Sequence, residues 1–118
     1  MSWRAVLIHQ RAGALPLGAS PTWQEALERQ VAHVGRITPG RYRLGEVGVD
    51  QVGGEGLVFA VLEHPRGGWI LNAVGPKETL PTLEEAQAAL KALGLEEGRW
   101  RWIEDLDDYL DEVEVEDD

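Results

Sequence analysis

Gly53-Gly54-Glu55-Gly56-Leu57-Val58-Phe59-Ala60-Val61-Leu62-Glu63-His64-Pro65-Arg66-Gly67-Gly68-Trp69-Ile70-Leu71-Asn72-Ala73-Val74 is the stretch that decides the fold. Its two apolar runs, 57–62 and 69–74, have the length of strands and fall short of an ordinary helix. Glycine and proline stand between them and before them. Turns that short join antiparallel strands, because a parallel pair needs a crossover of a dozen or more residues.

Upstream, 41–52 alternates with Tyr42, Leu44, Val47 and Val49 as its apolar members, so 36–74 reads as an antiparallel meander. Residues 3–9 form an opening strand. Its consecutive Ala5, Val6, Leu7 and Ile8 imply burial on both faces and a central place in the sheet. The Gly- and Pro-containing stretch 11–20 reads as a loop.

Two helices are expected. Thr22 and Glu25 make a capping box, in which the Thr hydroxyl accepts from the third helical N–H while the Glu side chain reaches back. Trp23, Ala26, Leu27, Val31 and Val34 follow as an apolar stripe, with Gly35 placed as the stop. Thr82 and Glu85 repeat the box before Leu83, Ala86, Leu90 and Leu93, with Gly94 as the stop. Pro21-Thr22-x-x-Glu25-Ala26 and Pro81-Thr82-x-x-Glu85-Ala86 stand 60 residues apart. Duplication would give this, and so would two helices using the commonest start chemistry; the second explanation is preferred. Residues 99–103 make a short strand, with Trp100 and Trp102 on one side and Arg99 and Arg101 on the other.

The expected fold is α+β, an antiparallel sheet of four to five strands with two helices on one face plus an acidic amphipathic C-terminal helix. Residues 1–103 are one domain and 104–118 a separate acidic segment. The core is expected to hold Val6, Leu7, Ile8, Leu27, Val31, Val58, Phe59, Val61, Ile70, Leu71, Leu83, Leu90 and Leu93.

Charge is distributed unevenly. Of 21 acidic residues, ten lie in 104–118 with no Lys or Arg among them, while 1–103 carry eleven acids and all eleven basic residues. The net charge of −10 is thus the charge of the last fifteen residues, and a block of that kind commonly mediates an interaction. Ile103, Leu106, Leu110 and Val113 interrupt it at helical spacing, which makes it an amphipathic helix. Acid pairs at 104/108, 107/111 and 108/112 repel, each by about 0.2–0.5 kcal/mol, and acids in the last turn oppose the helix dipole. The helix is therefore expected to form only when docked. A peptide of residues 100–118 that proved strongly helical alone in low salt would contradict this.

The candidate interaction residues are Trp100, Trp102, Ile103, Leu106, Asp107, Asp108, Tyr109, Leu110, Asp111, Glu112 and Val113. They would meet a protein partner with a basic surface, or a second copy of the chain in a homodimer. The tail could also lie over the chain's own Arg36, Arg41 and Arg43, or serve only to solubilise. Direct nucleic-acid binding is not expected, because the net charge opposes it.

Catalytic chemistry finds little support. No cysteine is present, which excludes disulfides and thiolate ligands. His9, His33 and His64 are isolated, and Glu63-His64 is the sole acid–base neighbour pair. Gly53-Gly54-Glu55-Gly56 lacks the Lys-Ser/Thr ending of a phosphate loop. No cofactor or metal is expected. The alternative function is a small enzyme or ligand-binding domain, with His9 or His64 and Glu63 in a pocket between sheet and helices. No bilayer-length apolar run and no signal peptide is seen, so a cytoplasmic protein is expected. The single Asn and single Met suggest a thermophilic source.

Overall fold

The computed structural model is an α+β fold and describes residues 2–37, 42–64, 67–93 and 102–103. The elements are β1 (Trp3–His9), β2 (Gly13–Ser20), α1 (Trp23–Ile37), β3 (Tyr42–Val52), β4 (Glu55–Glu63), β5 (Trp69–Pro76), a 3₁₀ turn (Lys77–Thr79), α2 (Leu83–Leu93) and β6 (Trp102–Ile103). The sheet order is β2-β1-β5-β4-β3-β6. The first five of these strands pair antiparallel, and two-residue β6 lies parallel to β3. The acidic segment 104–118 lies outside the described residues.

The meander forms as read. Val52 pairs with Glu55 across Gly53 and Gly54, whose φ angles are 58° and 83°. Both central residues of this two-residue loop sit in the left-handed region that glycine reaches without strain. In β3 the apolar positions change from even to odd numbers between Leu44 and Val47. A bulge at that point restores both to one face.

Residues 13–20 are a strand and not the expected loop. Pro16 and Gly18 argue against a central strand, but β2 is the sheet edge, where a missing N–H or an irregular residue is tolerated. The pairing with β1 is irregular between Arg4 and Val6, Gly18 adopts φ 84°, and the Arg29 guanidinium donates to the Leu17 and Ala19 carbonyls at 2.8 and 3.3 Å. The hairpin tip is held by His9, whose Nδ1 accepts from the Arg11 and Ala12 N–H groups at 3.1 and 3.2 Å. A duplicated strand, loop and helix is therefore not what the two helix starts reflect, since a hairpin precedes α1. The hairpin–helix order of 3–37 recurs instead over 55–93.

Both helices lie on one face. α1 rests on β1, β2 and β5, and α2 on β3 and α1. That face is buried with strict alternation: Trp3, Ala5 and Leu7 on β1, Val58, Ala60 and Leu62 on β4, Trp69, Leu71 and Ala73 on β5. Trp23, Ala26, Leu27, Val31, Val34, Ala86 and Leu90 close it from the helix side. The expected core is therefore corrected. Leu7, Leu27, Val31, Val58, Leu71 and Leu90 belong to it, but Val6, Ile8, Phe59, Val61 and Ile70 are half-buried on the opposite face. Leu83 is 46% exposed, and the side chain of Leu93 lies outside the described ones. Gly35 is not a stop: it is buried inside α1, with no left-handed φ, and the helix continues to Ile37.

One capping box forms in full, at α2, and the other only in its Thr half, at α1. The Glu25 N–H donates to Thr22 Oγ1 at 3.1 Å. At α2 the exchange is reciprocal, Glu85 N–H to Thr82 Oγ1 at 3.1 Å and Thr82 N–H to Glu85 Oε1 at 3.0 Å. Thr22→Ala should lower stability by about 1 kcal/mol in chemical denaturation. The Thr82 backbone N–H, and then its hydroxyl, hold the Glu85 carboxyl below the ordinary carboxylate range, and hydrogen bonds from Arg4 do the same for Glu55. A depressed folded-state pKa gives stability that is present above the unfolded value and lost as pH falls through the folded one. Denaturation midpoints should therefore drop as pH falls below the ordinary carboxylate range, and Glu85→Gln should flatten the drop.

Candidate interaction surface

The half-buried face of the sheet has no described helix across it. Val6 and Ile8 of β1, Ile70 and Val74 of β5, and Leu57, Phe59 and Val61 of β4 share it by strand parity. The register sets them in rows. Ile8, Ile70 and Val61 are cross-strand neighbours, as are Val6, Asn72 and Phe59, and then Arg4, Val74 and Leu57. Phe59 faces Gly48 of β3, and a Cβ at Gly48 would overlap the Phe59 ring. The ring therefore occupies the space that any side chain at 48 would take. Arg4 and Glu55 close one corner with a paired hydrogen bond, Nη1 to Oε2 at 3.0 Å and Nη2 to Oε1 at 2.9 Å. Both are exposed, so this pair orders the corner more than it stabilises the fold.

Asn72 is the polar centre of the face. Its Nδ2 donates to the Val6 carbonyl at 3.1 Å and to the Ile70 carbonyl at 3.3 Å. Its main chain is held from the helix side by fully buried Gln30: Asn72 N–H to Gln30 Oε1 at 2.9 Å, Gln30 Nε2 to Asn72 O at 2.8 Å, and Gln30 Nε2 to Ala26 O at 3.0 Å. Gln30 thus stands in for a strand partner at Asn72, and its polar atoms are satisfied as burial requires. Sequence reasoning passed over it, although 23, 26, 27, 30, 31 and 34 fall on one helical face.

Of the sequence-predicted site residues, Trp102 and Ile103 are described. They extend the sheet as β6, with Trp102 opposite Tyr42 and Ile103 opposite Arg43. The chain leaves β6 at Ile103, on the β3 side of the sheet and opposite position 43. Trp100, Leu106, Asp107, Asp108, Tyr109, Leu110, Asp111, Glu112 and Val113 lie outside the described residues, as does Arg41. Arg36 is exposed in the last turn of α1, its Nη2 3.4 Å from His33 Nδ1.

The polar groups of the alternative function lie at one end of the sheet, where His9 and Leu62 both pair with Trp69, but strand parity puts His9 and Glu63 on opposite faces. His9 is engaged in the hairpin tip, with its ring 4.6 Å from that of Trp69. His64 lies 5.0 Å from the Tyr42 ring, and Glu63 shares the opposite sheet face with Val61. A cleft of about 230 Å³ opens at the other end of β1, lined by Trp3, Pro21, Thr22, Trp23, Gln24, Pro76 and Thr79. No histidine or carboxylate among the described residues lines it. Among the described residues no three His, Asp or Glu are grouped to hold a metal ion. Among the described residues, no helix is long and apolar enough to cross a membrane.

Ser20 Oγ and His33 Nε2 are buried without a hydrogen-bond partner among the described residues. Thr22, not Ser20, caps α1, so Ser20→Ala removes an unsatisfied hydroxyl and should raise stability by up to about 1 kcal/mol in a denaturant series.

No curated protein and no solved structure matches the chain. A family model does match, over residues 47–115, from the middle of β3 through β6 and into the acidic segment. That is more than half of the chain, and the chain belongs to this family of unknown function, DUF6303.

Proposed function

We propose that the protein is a small non-catalytic interaction or regulatory module, and that its acidic C-terminal segment presents the contact surface to a basic region of a partner protein. The observation that carries this is the confinement of the net charge of −10 to 104–118, behind a body whose charges balance. The family match runs to position 115 and so takes in most of the acidic stretch.

Asp107, Asp108, Asp111 and Glu112 form the outward acidic face of such a helix. They would meet lysine and arginine on a surface of the kind that otherwise holds nucleic acid, and association would be steered over long range and weakened by salt. Placement in the cytoplasm and a thermophilic source belong to the same proposal. The test is affinity capture with the full chain and with a chain ending at Ile103. A partner that is retained by the full chain, released by added salt or by competing duplex DNA, and absent from the truncated chain supports the reading. Capture that is unchanged by the truncation removes it.

A further inference from the structure

We propose that the acidic segment seats its apolar stripe on the chain's own open sheet face, across β4 and β5, and so turns its carboxylates outward. This rests on the sheet face and on the segment's spacing, and stands whether or not a basic partner exists.

Three observations place the occupant. The first is an apolar face with nothing described over it: Phe59, Val61, Ile70 and Ile8 lie side by side on three neighbouring strands. A sheet normally buries such a face against another layer. The second is where the chain leaves. β6 ends at Ile103 on the β3 side of the sheet, opposite Arg43, with fifteen residues still to run. Strands spaced about 4.8 Å apart put β5 about 14 Å from β6, where the segment begins. A helix over 104–113 would be about 15 Å long, enough to cross β3 and β4 and reach β5. The third is pattern. With Ile103 in β6, the remaining apolar positions Leu106, Tyr109, Leu110 and Val113 fall within an arc of about 100° on a helix, the width of a core-facing stripe.

A second copy is the competing occupant. Docking two such faces would leave two acidic segments without a surface, and each copy would have to find the other in solution. The tethered segment is present at an effective concentration in the millimolar range. The family match also binds the two parts together, since it spans β4, β5 and the segment.

Salt separates this proposal from the partner reading. Screening weakens the repulsion between acids at 104/108, 107/111 and 108/112. Docking on the sheet therefore tightens with salt, whereas binding to a basic partner loosens.

The experiment is amide hydrogen exchange on the full-length chain and on Leu110→Asp, together with molar mass by light scattering. In the unaltered chain, amides of 106–113 should exchange at least about tenfold more slowly than an unstructured peptide, as expected for locally stable structure. Protection should increase with added salt and vanish in Leu110→Asp, and the resonances of Phe59 and Ile70 should shift in that variant. Every described core residue belongs to 3–90, so the substitution is expected to leave the body folded. Unprotected amides over 106–113 in the unaltered chain would overturn the proposal. A dimer that Leu110→Asp or Phe59→Ala dissociates would do so too, by giving the face to a second copy. Loss of partner capture with protection intact would count against the partner reading alone.

Discussion

Gln30→Leu should lower the stability of the protein by about 2–4 kcal/mol, because it strips the Asn72 N–H and C=O of their buried partner. Leucine fills a similar volume and adds apolar contact, but it offers neither donor nor acceptor. Water cannot easily substitute, since Gln30 is fully buried on the sheet-facing side of α1. The loss should appear in the urea midpoint with the slope unchanged. Gln24→Leu, exposed on the same helix, is the control and should stay within about 0.5 kcal/mol. A Gln30→Leu protein as stable as the control would mean that the strand finds its ladder partner elsewhere and that the amide network is decorative. Gln30→Glu should cost at least as much, because it buries a charge or forces the carboxyl to stay protonated.

Leu71→Ala should cost about 2–5 kcal/mol, the range for emptying a fully buried leucine site. Leu71 is 0% exposed in the middle of β5, between α1 and the neighbouring strands. Its neighbour Ile70 points to the other face and is only half-buried. Ile70→Ala is therefore a gauge of what lies over that face. If the acidic segment covers it, Ile70→Ala destabilises the full chain more than a chain ending at Ile103. Equal effects in the two chains would show that the face is bare.

Elements with one strong local signal were readable from the sequence. The two Thr-x-x-Glu starts, the glycine turn at 53–54 and the apolar runs of β4 and β5 all form where they were expected. The edge strand β2 was not readable, because Pro16 and Gly18 weigh against any strand until its neighbours are known. The choice of face was also hidden. Runs such as Ala5 to Ile8 are apolar at every position, so periodicity could not tell the side under the helices from the open side. Much of the tight core consists of small residues, Ala5, Ala26, Ala60, Ala73 and Ala86, which lie where helices approach the sheet closely. A reading weighted to large side chains passes over them. Gln30 was missed for a related reason: a polar residue in an apolar stripe looks like an interruption until the strand that it completes is seen.

Of the candidate site, spacing and charge named 104–118, which lies outside the described residues. The open sheet face was not readable, because it depends on three strands brought together from distant parts of the chain.

The Phe59 ring resting over Gly48 makes two positions on neighbouring strands share one volume. Both lie within the span matched by the family. Across the family, position 48 is then free to grow only where position 59 shrinks, so the two columns of an alignment should vary together. Gly48→Ala alone should disturb the sheet, and Phe59→Leu in the same chain should restore it.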